Sequence, residues 1–223
     1  MAKTDFQSVH DSFRNLDIKS ETDQVALDPI VFCGPSGSGK TTLVNMLIAE
    51  FPEKFKASVS YTTRALREGE VNGRHYHFVS KERFEELMNQ EPPFFIETAK
   101  YGDNWYGTSI ESINDIQGAG MTCLLILEVQ GLLSLEHAAR VGDLNFLPRY
   151  VNVKCRSIFE LYNRLVARGT ESREAIEVRC DAAYEEMQWM NRYKHLFDKI
   201  LINNDLIDCY AELKEWVFET QHK

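Results

Sequence analysis

The sequence predicts an α/β fold built on a parallel sheet, and three observations carry that prediction. Short apolar runs, "IVFC" at 30–33 and "MTCLLILEV" at 121–129, are continuous rather than alternating, the pattern of strands covered on both faces. Segments with helical apolar spacing stand between such runs, so strand and helix alternate along the chain. A glycine-rich turn, "CGPSGSGKTTL" at 33–43, joins the first apolar run directly to the first helical segment.

The elements follow in order. Residues 1–28 read as an N-terminal extension expected to be flexible: "FQSVHDSFRNL" can make one short amphipathic helix, and "KSETDQ" reads as linker. One domain over 29–223 follows. "PIVFC" is a buried strand, and "TTLVNMLIAEF" has helical spacing at Leu43, Met46, Leu47 and Phe51. "ASVSYTTR" and "HYHFVS" read as strands, "KERFEELMNQ" as a helix and "PFFIETAKY" as a further strand. "SIESINDIQGAG" is a helix closed by glycine, and "MTCLLILEV" is the most apolar run in the chain. "RYVNVKC" and "KILINN" are later core strands. Helices are expected at about Ser157–Arg168, Arg173–Leu196 and Leu206–Glu219. The stretch from about 59 to 108 breaks the rhythm, with short strands, many arginines and tyrosines, and one short helix. It reads as a smaller lobe inserted into a core of 29–58 and 109–223.

Composition narrows the function. The chain has 223 residues, enough for a sizeable core, and 43% of them are apolar. Its 34 acidic against 25 basic residues leave a formal charge of −9, which repels nucleic-acid backbones, so no nucleic-acid partner is expected. Anionic substrates would then need a local basic cluster. No apolar stretch has the length of a membrane span, and the polar start resembles neither a secretory signal nor a transit peptide. The expected address is cytoplasmic, with no membrane partner. Five cysteines, an odd count without metal-ligand spacing, read as reduced core thiols.

Gly34 to Thr41 matches G-x-x-x-x-G-K-[ST] in full, between a strand that ends at Cys33 and a helix that begins near Gly39. Phosphates crowd the backbone, so the glycines remove Cβ atoms and allow unusual φ/ψ. The exposed N–H groups and the positive end of the helix hold the anion. On this reading Gly34, Pro35, Ser36, Gly37, Ser38, Gly39, Lys40, Thr41 and Thr42 cradle the phosphates of a nucleoside triphosphate. Lys40 reaches the β- and γ-phosphates, and the Thr41 hydroxyl completes the shell of a Mg²⁺ ion. The motif does not name the acceptor.

"SVSYTTRALREGEVNGRHYHFVS" followed by "FIETAKYGDNWYGTS" resembles the guanylate kinase family. "RLVARGTESREAIEVR" resembles the lid of that family, about 164–179, and "ILINND" its late strand. The resemblance runs from about Pro29 to the C-terminus and implies ATP-dependent phosphorylation of GMP, and of dGMP, with Mg²⁺. It makes 59–108 the GMP-binding lobe. By the resemblance, Ser60, Arg64, Arg67 and Tyr76 bind the monophosphate and Tyr106 closes on it. Arginine forks match phosphate oxygens, and tyrosine hydroxyls donate without adding charge. By the resemblance, Glu97, with Thr108 and Glu128 assisting, accepts the adjacent N1–H and N2–H₂ donors of guanine, a pair that adenine does not offer. Arg164, Arg168 and Arg179 close over the triphosphate. Like charges at the four-residue spacing of Arg164 and Arg168 repel unless an anion lies between them. Asn203 corresponds to a position of the family near the adenine. A monomer is expected, with a dimer as the alternative.

The chain departs from the family in places. Acidic-x-acidic before Gln-Gly becomes Ile126-Leu127-Glu128 ahead of Gln130-Gly131, so one acid is missing and the other is the longer glutamate. Cys155-Arg156-Ser157 stands where Pro-Pro-Ser is common. These features imply a divergent and slower enzyme, with Ile126 expected inside the core. The competing function is a non-catalytic guanylate kinase-like module that binds phosphopeptides. Lys40, Thr41 and the lid arginines speak for the enzyme.

Overall fold

The computed structural model describes residues 28–141, 144, 146–169 and 172–219. The expected helix and linker of the N-terminal extension lie outside the described residues.

Five parallel strands form the core sheet: β1 (Ile30–Cys33), β2 (Phe55–Ala57), β7 (Thr122–Ile126), β8 (Arg149–Lys154) and β9 (Lys199–Ile202), in the order β2-β7-β1-β8-β9. The central position of β1 explains its apolar run. Ile30 and Phe32 face one side and Val31 and Cys33 the other, and all four are fully buried. The first face packs on α1 (Lys40–Glu50) and α7 (Leu206–Glu219) through Leu43, Leu47, Leu213 and Val217. The second packs on α3 (Ile110–Gly118), α4 (Val129–Val141) and α6 (Arg173–Arg192) through Ile113, Leu132, Leu135 and Met190. Helix α5 (Ile158–Arg168) lies against α6 around Leu161, Leu165, Ile176 and Cys180. All five cysteines are buried and free.

A separate four-stranded sheet forms the lobe. Its order is β4-β3-β6-β5, from β3 (Tyr61–Thr62), β4 (His77–Phe78), β5 (Phe95–Tyr101) and β6 (Asn104–Ser109). Helix α2 (Lys81–Met88) covers it with Phe84 and Leu87, and Phe84 stacks on Phe95 with centroids 4.7 Å apart.

Some elements differ from expectation. The strand read over "ASVSYTTR" is split, with Ala57 ending β2 in the core sheet and Tyr61 opening β3 in the lobe. The run "MTCLLILEV" leaves the sheet at Ile126, and Val129 already starts α4, a helix that the unbroken apolar run concealed. Strand β6 also went unread, because "NWYGTS" lacks alternation. It exists through pairing on both edges, with β3 and with β5. The helix expected to Leu196 ends at Arg192, and a 3₁₀ turn at Lys194–Leu196 carries the chain into β9.

Candidate active site

The glycine-rich loop leaves the buried carboxyl end of β1 and enters α1 at Lys40. Gly34 has φ +147°, and a Cβ there would stand 2.0 Å from the Val153 carbonyl oxygen on the neighbouring strand. No other residue type fits. Asn203, at the end of β9, donates from Nδ2 to the Ser38 carbonyl at 2.8 Å and so ties the loop to the sheet. Helices α2, α3, α5 and α6 each begin with a serine that accepts from a first-turn N–H, followed by an acidic residue. Helix α1 has neither a capping side chain nor an acid in its first turn. Its positive end is left for an external anion. Lys40 folds back, and its Nζ donates to the carbonyls of Gly34 and of Pro35. Burial lowers its pKa, and the charge of Glu186 counters that shift.

A cleft of about 490 Å³ opens above this loop. Gly34, Ser36 and Lys40 form its floor, and Ile126, Leu127 and Glu128 enter from the end of β7. The lobe contributes Ser60, Arg64, Arg67, Glu70, Tyr76, Glu97, Ala99 and Tyr106. Helix α6 presents Arg179, Ala182, Ala183 and Glu186, a stripe at helical spacing with small residues at its centre.

Glu97 is 6% exposed although β5 is an edge strand. Thr108 donates to its Oε1 at 2.7 Å across the β5–β6 pair. Burial pushes this carboxyl up to about 7; the Thr108 hydrogen bonds oppose the shift and the charge of Glu128 adds to it. Such a group holds a proton near neutrality and ionises readily when donors are offered to it. Ser60 Oγ lies 3.5 Å from Thr108 Oγ1. Arg64 lies over the rings of Tyr76 and Phe78, at 5.4 and 5.5 Å from their centroids. Arg179 donates to Ser36 Oγ at 3.0 Å and bridges α6 to the glycine-rich loop.

Of the residues read from the sequence, Lys40, Ser60, Arg64, Arg67, Tyr76, Glu97, Tyr106, Glu128 and Arg179 line one cleft, and Thr108 supports Glu97 from behind. Arg164 does not line it. Its guanidinium donates to the backbone carbonyls of Asn203 and Asn204 and to Cys155 Sγ at 3.5 Å. Arg168 ends α5, and its side chain is not described. Asn203 is 3% exposed and engaged with the loop. Ile126, expected inside the core, is 37% exposed at the cleft wall, because β7 ends there. Glu70 and Glu186 went unread. Glu186 stands seven residues after Arg179, two helical turns on, and that spacing is the signal that could have found it. Its carboxyl is also pushed up to about 7 by burial, and its Oε1 has no hydrogen-bond partner among the described residues.

A parallel sheet, a phosphate loop at the carboxyl end of its central strand and an arginine-bearing cleft above it define the P-loop class of nucleotide-binding proteins. Residues 26–220 match the family model described as guanylate kinase. The guanylate kinase of Nitratidesulfovibrio vulgaris is 41% identical over 83% of this chain and 83% of its own length. The human guanylate kinase is 38% identical over 86% of this chain and 92% of its own. Guanylate kinase 1 of rice is 42% identical over 84% of this chain, but the chain spans only 47% of that protein. The crystal structure of guanylate kinase from Anaplasma phagocytophilum shares the fold, with a TM-score of 0.64 at 24% identity over 88% of this chain and 87% of that one. The chain belongs to the guanylate kinase family. No helix among the described residues is long and apolar enough to cross a membrane.

Proposed function

We propose that this chain transfers the γ-phosphoryl group of ATP to GMP or dGMP, giving ADP and GDP or dGDP. The observation that carries the reading is Glu97: a buried carboxylate, oriented by Thr108, in the same cleft as Lys40 and Arg64. In this reading the guanine N1–H and N2–H₂ donate to Glu97, while Ser60, Arg64, Arg67, Tyr76 and Tyr106 take the monophosphate. Lys40 leaves its loop carbonyls for the β- and γ-phosphates, and the N–H groups of the loop and of α1 hold the same anion. Arg179, already joined to Ser36, adds positive charge over the transferred group. Arg164 supports the late loop at 203–204, and Arg168 belongs to the same lid. The chemistry needs positioning and charge neutralisation, with no covalent intermediate.

The donor set suits Mg²⁺, a hard cation that keeps most of its waters. The Thr41 hydroxyl stands in the first turn of α1, and Glu128 and the Glu186 oxygen that has no hydrogen-bond partner among the described residues would offer acceptors to its waters. The ion would neutralise the triphosphate. A cytoplasmic monomer working on these small molecules completes the reading. A coupled assay with GMP, dGMP, AMP, UMP and CMP tests it. Selective turnover of GMP and dGMP is expected, and equal rates with AMP would overturn the role of Glu97.

A further inference from the structure

The cleft holds one carboxylate that the proposed chemistry does not use, and it touches the group that chemistry needs most. Arg64 has five N–H donors. Nη1 donates to the Ala65 carbonyl at 2.8 Å and to Glu70 Oε2 at 3.0 Å, and Nη2 donates to Glu70 Oε1 at 2.7 Å. Glu70 therefore occupies the end-on fork of the guanidinium. Nε–H and the second Nη2–H, which neither Ala65 nor Glu70 takes, form the side-on pair, whose geometry also matches two phosphate oxygens. The Tyr106 hydroxyl interacts with the same guanidinium.

Glu70 is fixed from its other side as well. Its Oε2 accepts from the Arg67 backbone N–H at 2.8 Å, and its own N–H donates to the Arg67 carbonyl at 3.1 Å. The side chains of Arg64 and Glu70 are 13% and 19% exposed, so the pair is sheltered, not a solvated surface contact. The hydrogen bonds from Arg64, then that from Arg67, hold the Glu70 carboxyl down to about 2.

We propose that Glu70 is a positioning residue for the monophosphate site: it holds Arg64 by the end-on fork so that the side-on pair is set for the phosphate. This rests on the GMP-kinase reading above. A carboxylate that merely filled the place of the phosphate would have to leave on every binding event. Its departure would strip the Arg67 N–H of its acceptor and open the 64–70 turn. A carboxylate that stays instead removes the rotamer freedom of Arg64 before the ligand arrives. It also lowers the net charge of the arginine pair, so affinity comes from geometry as much as from charge.

The test uses the full chain with Glu70→Gln, which keeps length but loses the charge and turns one acceptor into a donor. KM for GMP is expected to rise on the order of tenfold to a hundredfold, with kcat and KM for ATP within about threefold. Because the Glu70 carboxyl is held at about 2, the ratio of variant to parent KM should be flat from about pH 5 to about pH 9. Glu70→Asp, which keeps the charge, should recover part of the loss; it carries the same test if the glutamine variant does not fold. In an Arg64→Ala background the Glu70→Gln effect on GMP binding, read by calorimetry without ATP, should vanish. Unchanged or tighter GMP binding by Glu70→Gln, or equal falls in every parameter together with thermal stability, would overturn the proposal. Failure of the parent protein to bind GMP would overturn the GMP-kinase reading instead.

Discussion

Gly131 and Glu97 are fitted to each other: a Cβ at Gly131 would stand 2.9 Å from Glu97 Oε2. The glycine is the third residue of α4, whose first turn has no acid of its own. The carboxylate from β5 packs against that turn while its other oxygen takes the Thr108 hydroxyl. The positive helix end offsets part of the burial of Glu97.

Gly131→Ala should therefore act on the acceptor site. The new methyl group has no room unless Glu97 moves, and its backbone conformation is otherwise tolerant of alanine. KM for GMP should rise about tenfold and preference over AMP should shrink, while KM for ATP holds. Stability should fall by about 1–2 kcal/mol from overpacking. Steady-state kinetics with both acceptors, beside a thermal melt, check this. An unchanged GMP-to-AMP ratio would contradict it.

The same pair shows how far the sequence could be read. The strand–loop–helix around Lys40 was legible because phosphate chemistry prescribes spacing, glycines and a threonine within eight residues. The core strands β1 and β7 were legible because their runs are apolar on both faces. Glu97 was not legible from its neighbours. "FFIETA" reads as an exposed edge strand, and the packing of α4 and of Thr108 against Glu97 buries it. Helix α4 itself was hidden by an apolar run that passes from strand to helix without a break. Glu70 was missed because its value lies in a contact with Arg64 across a turn, which the composition of a charged loop does not reveal.

Glu97 also sets a pH dependence. Its carboxyl lies at about 7 in the folded protein against an ordinary 4.5, so between these values the folded chain holds a proton that the unfolded chain releases. Its contribution to stability falls as pH rises through that window and is level above it; Glu186 acts in the same direction. Guanine needs the ionised form. GMP affinity should rise from about pH 6 to about pH 8, with proton release on binding. Calorimetry in buffers of differing ionisation enthalpy measures the release, and Glu97→Gln should remove the part that does not come from the phosphate of GMP. A pH-independent affinity would count against the assignment.

Lys40→Ala separates chemistry from folding. Among the described residues the ammonium bonds loop carbonyls alone and is held there against the loss of hydration. Removing it should leave the melting temperature nearly unchanged and lower kcat by roughly a hundredfold to a thousandfold, the scale for one lost charge-stabilising donor. Near-normal turnover in a folded variant would sink the kinase reading.

The last prediction concerns the acid missing at Ile126. Had this residue been in the core, Ile126→Asp would have buried a charge at a cost of several kcal/mol. It is instead 37% exposed on the cleft wall, near Glu128 and Glu186, so an aspartate there stays hydrated and the fold should survive with little change in melting temperature. Its carboxylate joins Glu128 and Glu186, two of the four carboxyl side chains that line the cleft. Without a cation it should push the Glu186 carboxyl higher still, by like-charge repulsion. With Mg²⁺ the added carboxylate gives the waters of the ion one more acceptor. Ile126→Asp together with Glu128→Asp should then lower the Mg²⁺ concentration needed for half-maximal rate and raise kcat by a few-fold, and calorimetry should show tighter binding of Mg·ATP but not of ATP alone. A folded double variant with the same Mg²⁺ requirement would show that Thr41 and the phosphates organise the metal unaided, and that Ile126 does not limit the proposed turnover.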